Sequence, residues 1–352
     1  MATENVFKSR ECFLGKNLRT GEPYYIDIAE GRYTIIGGKS GTGKSTIVKN
    51  ISIQLGMHYK SPLWIFDPME AEWKEITRPN AGSPNASAIT LYSTHKDEYA
   101  FNPVEDFSEI DLSTWGFTSK AILAWNALSR FFTNYETAIE EIENADKNVI
   151  HIQTKDALLR NMRSLKQYWH APENGDARKR LNKKAIYELL NVPTHAVHFR
   201  FDITRSDMFI AQFYVSKVME ALVPFLRTTT PILVFEEADF LFPAMLSGIQ
   251  LDSNYWLDKY LRKFIRRTGA HIILITQFPH KIDADVEKNA YNVLYGNMHA
   301  DETNNADMKP VVGKLQWNAR AGIREFAHWS QDTNRVEVFE PESPRFMPRG
   351  KI

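Results

Sequence analysis

The sequence lacks the features of a disulfide-stabilised or membrane-spanning protein. Its only cysteine, Cys12, excludes an internal disulfide and suits a reducing compartment. No apolar run reaches the roughly 18 residues that a membrane-spanning helix needs. The opening residues, MATENVFKSR, lack the apolar core of a signal peptide. These absences predict a cytoplasmic protein without a membrane span.

Net charge and sequence repetition are missing as well. Lys and Arg number 43, as do Asp and Glu, so no overall field draws the protein to nucleic acid or to a membrane surface. Any contact with DNA must therefore be local. The composition is typical of a folded protein, with 43% hydrophobic and 24% charged residues. The length of 352 residues allows one large α/β domain with an insertion, or two domains.

Strands alternate with helices along most of the chain, which predicts an α/β fold with a mostly parallel sheet and helices on both faces. Helices are predicted near residues 208–226 and 255–267. Strands are predicted over residues 24–28, 33–36, 63–66, 196–201, 231–235 and 271–276.

Residues 118–190 have apolar side chains at helical spacing and no strand of comparable strength. We interpret this stretch as a helical insertion. The predicted organisation is an N-terminal part of the core over 1–106, the insertion over 107–192, and a C-terminal part of the core over 193–352.

A glycine-rich motif lies between a predicted strand and a predicted helix. Its residues fit the pattern G-x-x-x-x-G-K-[ST] and are Gly38, Lys39, Ser40, Gly41, Thr42, Gly43, Lys44, Ser45 and, one position further, Thr46. Backbone amides of such a loop surround phosphate oxygens, the lysine reaches the β and γ phosphates, and the serine hydroxyl ligates Mg²⁺. Because the alternative, a plain glycine-rich turn, does not need this strand and helix, we predict that the loop binds ATP with Mg²⁺.

Two adjacent carboxylates, Glu236 and Glu237, end the apolar strand 231–235. In P-loop enzymes an acid at this point supports Mg²⁺, and a second acid polarises the attacking water. We assign these roles to Glu236 and Glu237 respectively. The alternative is that both acids begin a solvated loop.

Gln277 follows the buried strand 271–276 and is a candidate for orienting water or sensing the γ-phosphate. The alternative is an ordinary polar residue at a strand end.

Two basic clusters are also present. The first includes Arg266 and Arg267, and an arginine supplied from another subunit stabilises transition-state charge in some of these enzymes. The second, residues 178–184, is a candidate for DNA backbone contact. For both clusters the alternative is a solvated surface.

Taken in order, these segments resemble the HerA-FtsK superfamily of P-loop ATPases, which includes DNA translocases, conjugative and secretion ATPases, and viral genome-packaging ATPases. The similarity includes Gln277-Phe278-Pro279, which points to this branch, and covers about 250 residues outside the insertion. The other matching segments are 13–16, 20–23, 35–46, 65–72, 101–103, 236–239, 266–270 and Asn289. Glu236 departs from the pattern because an aspartate usually stands at its position.

The resemblance implies an ATP-driven translocase of double-stranded DNA that forms a homo-oligomeric ring, expected to be a hexamer. Arg266 or Arg267 is then expected to complete the nucleotide site of the neighbouring subunit. The barrel of HerA and the membrane segments of FtsK have no counterpart here, which favours a packaging or transfer ATPase. Genome packaging is the favoured use, with capsid or secretion-channel proteins as partners and a cytoplasmic or virion-associated location. Conjugative transfer and a nucleotide-dependent assembly switch are the alternatives.

Overall fold

The computed structural model describes most of the chain. The described residues are 10–29, 31–59, 61–68, 73, 90–148, 150–172, 175–192, 194–201, 208–229, 231–242, 269–282, 284–318 and 322–342. The helix predicted near 255–267 lies outside them. None of the helices in this part of the chain combines the length and the apolar composition needed to cross a membrane.

The strands fall into one large sheet and two small ones. They are β1 (Glu11–Asn17), β2 (Pro23–Asp27), β3 (Tyr33–Gly37), β4 (Leu63–Asp67), β5 (Leu91–His95), β6 (Tyr99–Ala100), β7 (Lys179–Arg180), β8 (Ala196–Arg200), β9 (Ile232–Phe235), β10 (His271–Thr276), β11 (Asn292–Tyr295), β12 (Trp317–Asn318), β13 (Ile323–Arg324), β14 (Phe326–Ser330) and β15 (Arg335–Pro341).

The helices range from single turns to the long helix that precedes β9. They are α1 (Lys44–His58), α2 (Pro103–Asp106), α3 (Glu109–Thr114), α4 (Ser119–Leu128), α5 (Tyr135–Asn144), α6 (Ile152–Leu165), α7 (Lys183–Leu190), α8 (Met208–Thr229), α9 (Ala238–Leu241), α10 (Ala284–Lys288) and α11 (Lys309–Val312). Short 3₁₀ helices cover Lys96–Glu98, Ser129–Phe131, Lys166–Tyr168, Pro279–Lys281 and Ala300–Glu302.

The large sheet has eleven strands in the order β2-β1-β15-β14-β11-β3-β10-β9-β4-β8-β5. From β11 to β5 all neighbouring strands are parallel. From β11 to β2 they are antiparallel. The mostly parallel sheet predicted from the sequence is therefore present, and the antiparallel extension at one edge was not predicted.

The central strands separate two hydrophobic cores, one on each face of the sheet. In β9, Leu233 and Phe235 belong to the larger cluster, whereas Ile232 and Val234 belong to the smaller one. Successive side chains of a strand point to opposite faces, so both faces of these strands are buried. Helix α1 covers one face through Ile47, Val48, Ile51 and Leu55. Residues of α4 to α9 belong to the cluster of the other face.

Helices α2 to α7 lie between β6 and β8, within and slightly before the stretch predicted as an insertion. One short strand interrupts them, because β7 pairs with β6 in a two-stranded sheet. Lys217 of α8 anchors this helical segment to the core. Its buried Nζ lies 2.7 Å from Asp111 Oδ2 in α3 and donates to the backbone oxygen of Asp106 at 2.7 Å. The division of the chain at 107 and 192 stays a prediction.

Candidate functional site

The glycine-rich loop joins β3 directly to α1, as predicted from the sequence. The backbone conformation of the loop requires glycine at two positions. Gly41 has φ 78° and Gly43 has φ 105°, values that residues with a side chain rarely adopt. Gly43 is also the residue before α1, and no side chain caps this helix. The first amides of α1 are therefore left for another acceptor, and the helix dipole favours an anion there.

Internal hydrogen bonds hold the loop in its curved shape. Thr42 Oγ1 donates to the backbone oxygen of Lys39 at 2.8 Å. Lys44 Nζ donates to the backbone oxygens of Gly38 at 2.7 Å and Lys39 at 3.1 Å. Burial lowers the pKa of Lys44, while Glu237, Glu236 and Asp239 act in the opposite direction. The ammonium group is thus held by neutral backbone oxygens, which negatively charged phosphate oxygens are able to replace.

Glu236 follows β9 and is 5% exposed. Its backbone amide continues the sheet by donating to the backbone oxygen of Phe66 at 3.0 Å. Its Oε1 atom is buried and has no hydrogen-bond partner. Burial, followed by the charges of Asp67 and Glu237, raises the pKa of Glu236 to about 8. A nearby cation would favour the carboxylate form, because it stabilises the negative charge.

Glu237 stands at the turn between β9 and α9 in a left-handed conformation, with φ 46° and ψ 52°. The adjacent strand β10 brings Gln277 to it, and Gln277 Nε2 donates to Glu237 Oε1 at 3.1 Å. Burial is the main reason that the pKa of Glu237 is raised. A carboxylate with a raised pKa is a stronger proton acceptor, which suits a group that polarises water.

Asp67 ends β4, the strand on the other side of β9. Its side chain is fully buried and its Oδ2 lies 3.0 Å from His198 Nε2. On the β10 side, Thr276 Oγ1 donates to Asp239 Oδ1 at 2.6 Å. These residues surround the two glutamates with further polar groups at the carboxyl ends of parallel strands, where ligands bind in sheets of this kind. Neither aspartate was assigned a role from the sequence.

A cavity of about 340 Å³ joins the loop to the acidic pair. It is lined by Ser40, Gly41, Gly43, Lys44, Ser45, Thr46, Glu236, Glu237, Ile275, Thr276, Gln277 and Arg324. Residues predicted separately from three parts of the sequence therefore meet at one place. Arg324 was missed, because it follows the loop by more than half the chain and belongs to no recognisable motif.

The cavity fits a Mg²⁺ ion bound together with phosphates. Glu236 offers the buried, unpartnered Oε1, and Ser45 lines the same space. Mg²⁺ is usually held by one or two protein groups together with phosphate oxygens and water. The described residues include no group of three or more His, Cys, Asp or Glu side chains able to hold a metal ion alone.

Of the two basic clusters, the structure describes only the second. Arg266 and Arg267 lie outside the described residues. In the second cluster, Arg178 donates to Asp176 and to two backbone oxygens, and Arg180 pairs with Asp106 and Glu105. Both guanidinium groups are thus committed to contacts within the chain. The lysines of the same cluster, Lys179, Lys183 and Lys184, are exposed, so DNA contact by residues 178–184 stays a prediction.

At the level of sequence, no protein-family model matches the chain, and no curated protein is found to be similar to it. Solved structures are similar in fold. VirB4 of Thermoanaerobacter pseudethanolicus has 15% identity and a TM-score of 0.66, over 94% of this chain and 96% of that one. The plasmid coupling protein TrwB, in complex with the non-hydrolysable GTP analogue GDPNP, has 12% identity and a TM-score of 0.55, over 98% and 97%.

The genome packaging NTPase B204 from Sulfolobus turreted icosahedral virus 2, in complex with ATPγS, has 13% identity and a TM-score of 0.46, over 89% of this chain and 98% of that one. The structural similarity is argued from VirB4 and TrwB, whose TM-scores are above 0.5. The chain has the P-loop NTPase fold that they share, which confirms the predicted fold class.

Proposed function

We propose that the chain is an ATPase that moves double-stranded DNA, and that packaging a viral genome is its use. One observation supports this most directly. The cavity between the glycine-rich loop and the end of β9 holds a phosphate-binding lysine, two carboxylates and a glutamine together. This is the set of groups that phosphoryl transfer to water requires, since the protein's task is to position the phosphate and the water and to stabilise charge.

In this proposal the loop residues Gly38 to Thr46 bind the triphosphate. Lys44 exchanges the backbone oxygens of Gly38 and Lys39 for the β and γ phosphates, and the amides at the start of α1 hold the same anion. Ser45 and Glu236 hold Mg²⁺ with the phosphates. When bound, Mg²⁺ neutralises charge that develops on the phosphate oxygens.

Glu237 and Gln277 act on the attacking water. Glu237 accepts a hydrogen bond from Gln277, which fixes the direction of its carboxylate. Its partly desolvated carboxylate then polarises the water, and Gln277 senses the γ-phosphate from the same side of the cavity. Hydrolysis and the state of the phosphate are thereby linked through two residues in direct contact.

The motor acts as a ring, with a hexamer as the expected form. Arg266 or Arg267 of one subunit completes the nucleotide site of the next, as the sequence resemblance implies. The segment 107–192 is an insertion in the ATPase core, and the protein works in the cytoplasm or with a virion. Conjugative DNA transfer or secretion through a channel is the second candidate, favoured by the fold shared with the plasmid coupling protein TrwB.

ATP hydrolysis by the purified protein, with and without duplex DNA, tests this proposal. We expect DNA to raise the rate of hydrolysis. Glu237→Gln is expected to retain nucleotide while turnover falls by about 10²- to 10⁴-fold, because the water loses its general base. Glu340→Gln is a matched control, since Glu340 is exposed on β15 and does not line the cavity.

Hydrolysis that DNA leaves unchanged, together with no ATP-dependent multimer, would favour a nucleotide-dependent assembly switch instead. A Glu237→Gln protein as active as the parent would remove Glu237 from the proposed chemistry.

A further inference from the structure

A small hairpin near the end of the described chain lies against the glycine-rich loop. It is formed by β12 and β13, which pair Trp317 with Arg324 and Asn318 with Ile323. Trp317 Nε1 donates to the backbone oxygen of Gly41 at 3.2 Å. One residue pair of this hairpin thus reaches the tip of the loop that is expected to hold phosphate.

The hairpin and the loop meet at two glycines. A Cβ atom on Gly41 would lie 3.5 Å from Cζ2 of Trp317, and one on Gly43 would lie 3.1 Å from Cδ of Arg324. The second distance is shorter than an ordinary van der Waals contact, so the absence of a side chain at Gly43 lets Arg324 approach the loop. This close approach brings the guanidinium group to the wall of the nucleotide cavity.

Among the residues that the structure describes, none pairs with the charge of Arg324. Its Nε atom is buried without a hydrogen bond, and the side chain forms no ion pair with any residue that the structure describes. By contrast, Arg178 and Arg180 both pair with carboxylates. A partly buried, unpaired guanidinium is unfavourable unless an anion binds beside it.

We propose that Arg324 binds the phosphates of the nucleotide from within the same subunit, as a second cation opposite Lys44. This inference depends on the proposed function, because it names a further ligand of the same site. The guanidinium presents several N–H donors in a planar arrangement that suits phosphate oxygens. Trp317 keeps the hairpin on the loop, so the arginine is already in position before the nucleotide arrives.

Equilibrium titration with Mg²⁺ and a non-hydrolysable ATP analogue tests the assignment. We expect Arg324→Ala to raise the Kd by about tenfold to a hundredfold, since a hydrogen-bonded charge is lost. Arg324→Lys keeps the charge but loses the planar donors and is expected to show a smaller increase. Arg335→Ala is the control, because Arg335 is exposed on β15 and does not line the cavity.

Lys44→Ala, measured in parallel, separates the two levels of the proposal. If it loses binding while Arg324→Ala and Arg324→Lys both bind like the parent, the role of Arg324 is wrong and the proposed function stands. If Lys44→Ala itself binds like the parent, the proposed function fails. Thermal unfolding of each variant shows whether it is folded. If Arg324→Ala is unfolded, the Kd of Arg324→Lys alone decides whether Arg324 binds the phosphates.

Discussion

Backbone strain at the site is concentrated on one residue, Glu237. It is one of only two non-glycine residues with positive φ in the described part of the chain, the other being Asn334. Asn334 lies in the turn between β14 and β15, where such a conformation is common for asparagine. Glutamate has no such preference, so its conformation is retained at a cost in stability that is typical of functional positions.

Glu237→Gly is therefore expected to stabilise the fold and to abolish turnover. Glycine relieves the positive φ and removes a partly desolvated carboxylate, which together we expect to raise the free energy of unfolding by about 1 kcal/mol. Chemical denaturation and an ATPase assay measure the two effects. Asn334→Gly is the control and should change stability less. A Glu237→Gly protein that is less stable than the parent would contradict this explanation.

Some residues of the site are visible in the sequence and others are not. Lys44 and Ser45 were predicted because the glycine-rich motif is continuous and has a strand before it and a helix after it. Glu236 and Glu237 were predicted because an apolar strand ends in them. Arg324 reaches the cavity only through the pairing of β12 with β13, and no local pattern encodes that contact.

Among the helices, a buried ion pair joins α8 to the helical segment in addition to their apolar packing. The side chains of Lys217 and Asp111 are 4% and 2% exposed, and their charged atoms lie 2.7 Å apart. Asp111 also accepts hydrogen bonds from the backbone and the hydroxyl of Ser108 at the start of α3. A change at Lys217 therefore affects both the packing of α8 and the end of α3.

Lys217→Met keeps the length of the side chain and leaves Asp111 buried without a cation. We expect it to lower the free energy of unfolding by about 3 to 5 kcal/mol. Lys179→Met is the matched control, because Lys179 and Glu188 form an exposed pair 3.7 Å apart, and exposed pairs contribute at most about 1 kcal/mol. Equal losses in the two variants, measured by urea denaturation, would contradict the importance of the buried pair.

The strands that the sequence revealed differ physically from those it did not. β4, β9 and β10 are buried on both faces, so their residues form continuous apolar runs that indicate parallel strands. β15 is mixed, with only Phe339 buried, and it pairs with β14 and β1 in the antiparallel extension. Such a strand depends on its neighbours more than on its own composition, since packing dominates strand preference.

In the large sheet, one buried histidine lies in the antiparallel part and another in the parallel part. His328 on β14 contacts the hydroxyl of Tyr24 at 2.6 Å and Asn292 Oδ1 at 2.9 Å. His271 on β10 contacts Thr34 Oγ1 at 3.0 Å. Burial lowers the pKa of His271 to about 4 and that of His328 to about 3.

The two histidines are expected to lower stability as the pH drops below about 6.5, whereas Glu236, with its pKa raised to about 8, acts in the opposite direction. Both histidines have a lower pKa in the folded chain than the ordinary value of 6.5, so the unfolded chain binds more protons between that pH and the folded values. His271 alone is expected to contribute a loss of up to about 3 kcal/mol between pH 6.5 and 4. Urea denaturation over a pH series measures this dependence.

His271→Gln removes the proton uptake at that position, so its stability should fall less steeply with decreasing pH than that of the parent. His280→Gln is the control, because His280 is exposed. A parent and a His271→Gln protein with parallel pH dependences would contradict the assignment.

The balanced charge of the whole molecule makes DNA binding a local property. Arg178 and Arg180 pair with carboxylates, whereas Lys179, Lys183 and Lys184 are exposed. In the proposed motor, a DNA contact by this cluster would therefore be made by the exposed lysines.

Every role proposed for the site depends on the binding of a nucleoside triphosphate in the cavity at Lys44. Calorimetric titration with Mg²⁺ and a non-hydrolysable ATP analogue tests it most directly, with Lys120→Ala as an exposed lysine control. We expect one binding site per chain in the parent and in Lys120→Ala, and a Kd raised by about tenfold or more in Lys44→Ala, because a charge-assisted contact is lost. Equal binding by the parent and Lys44→Ala would contradict the claim.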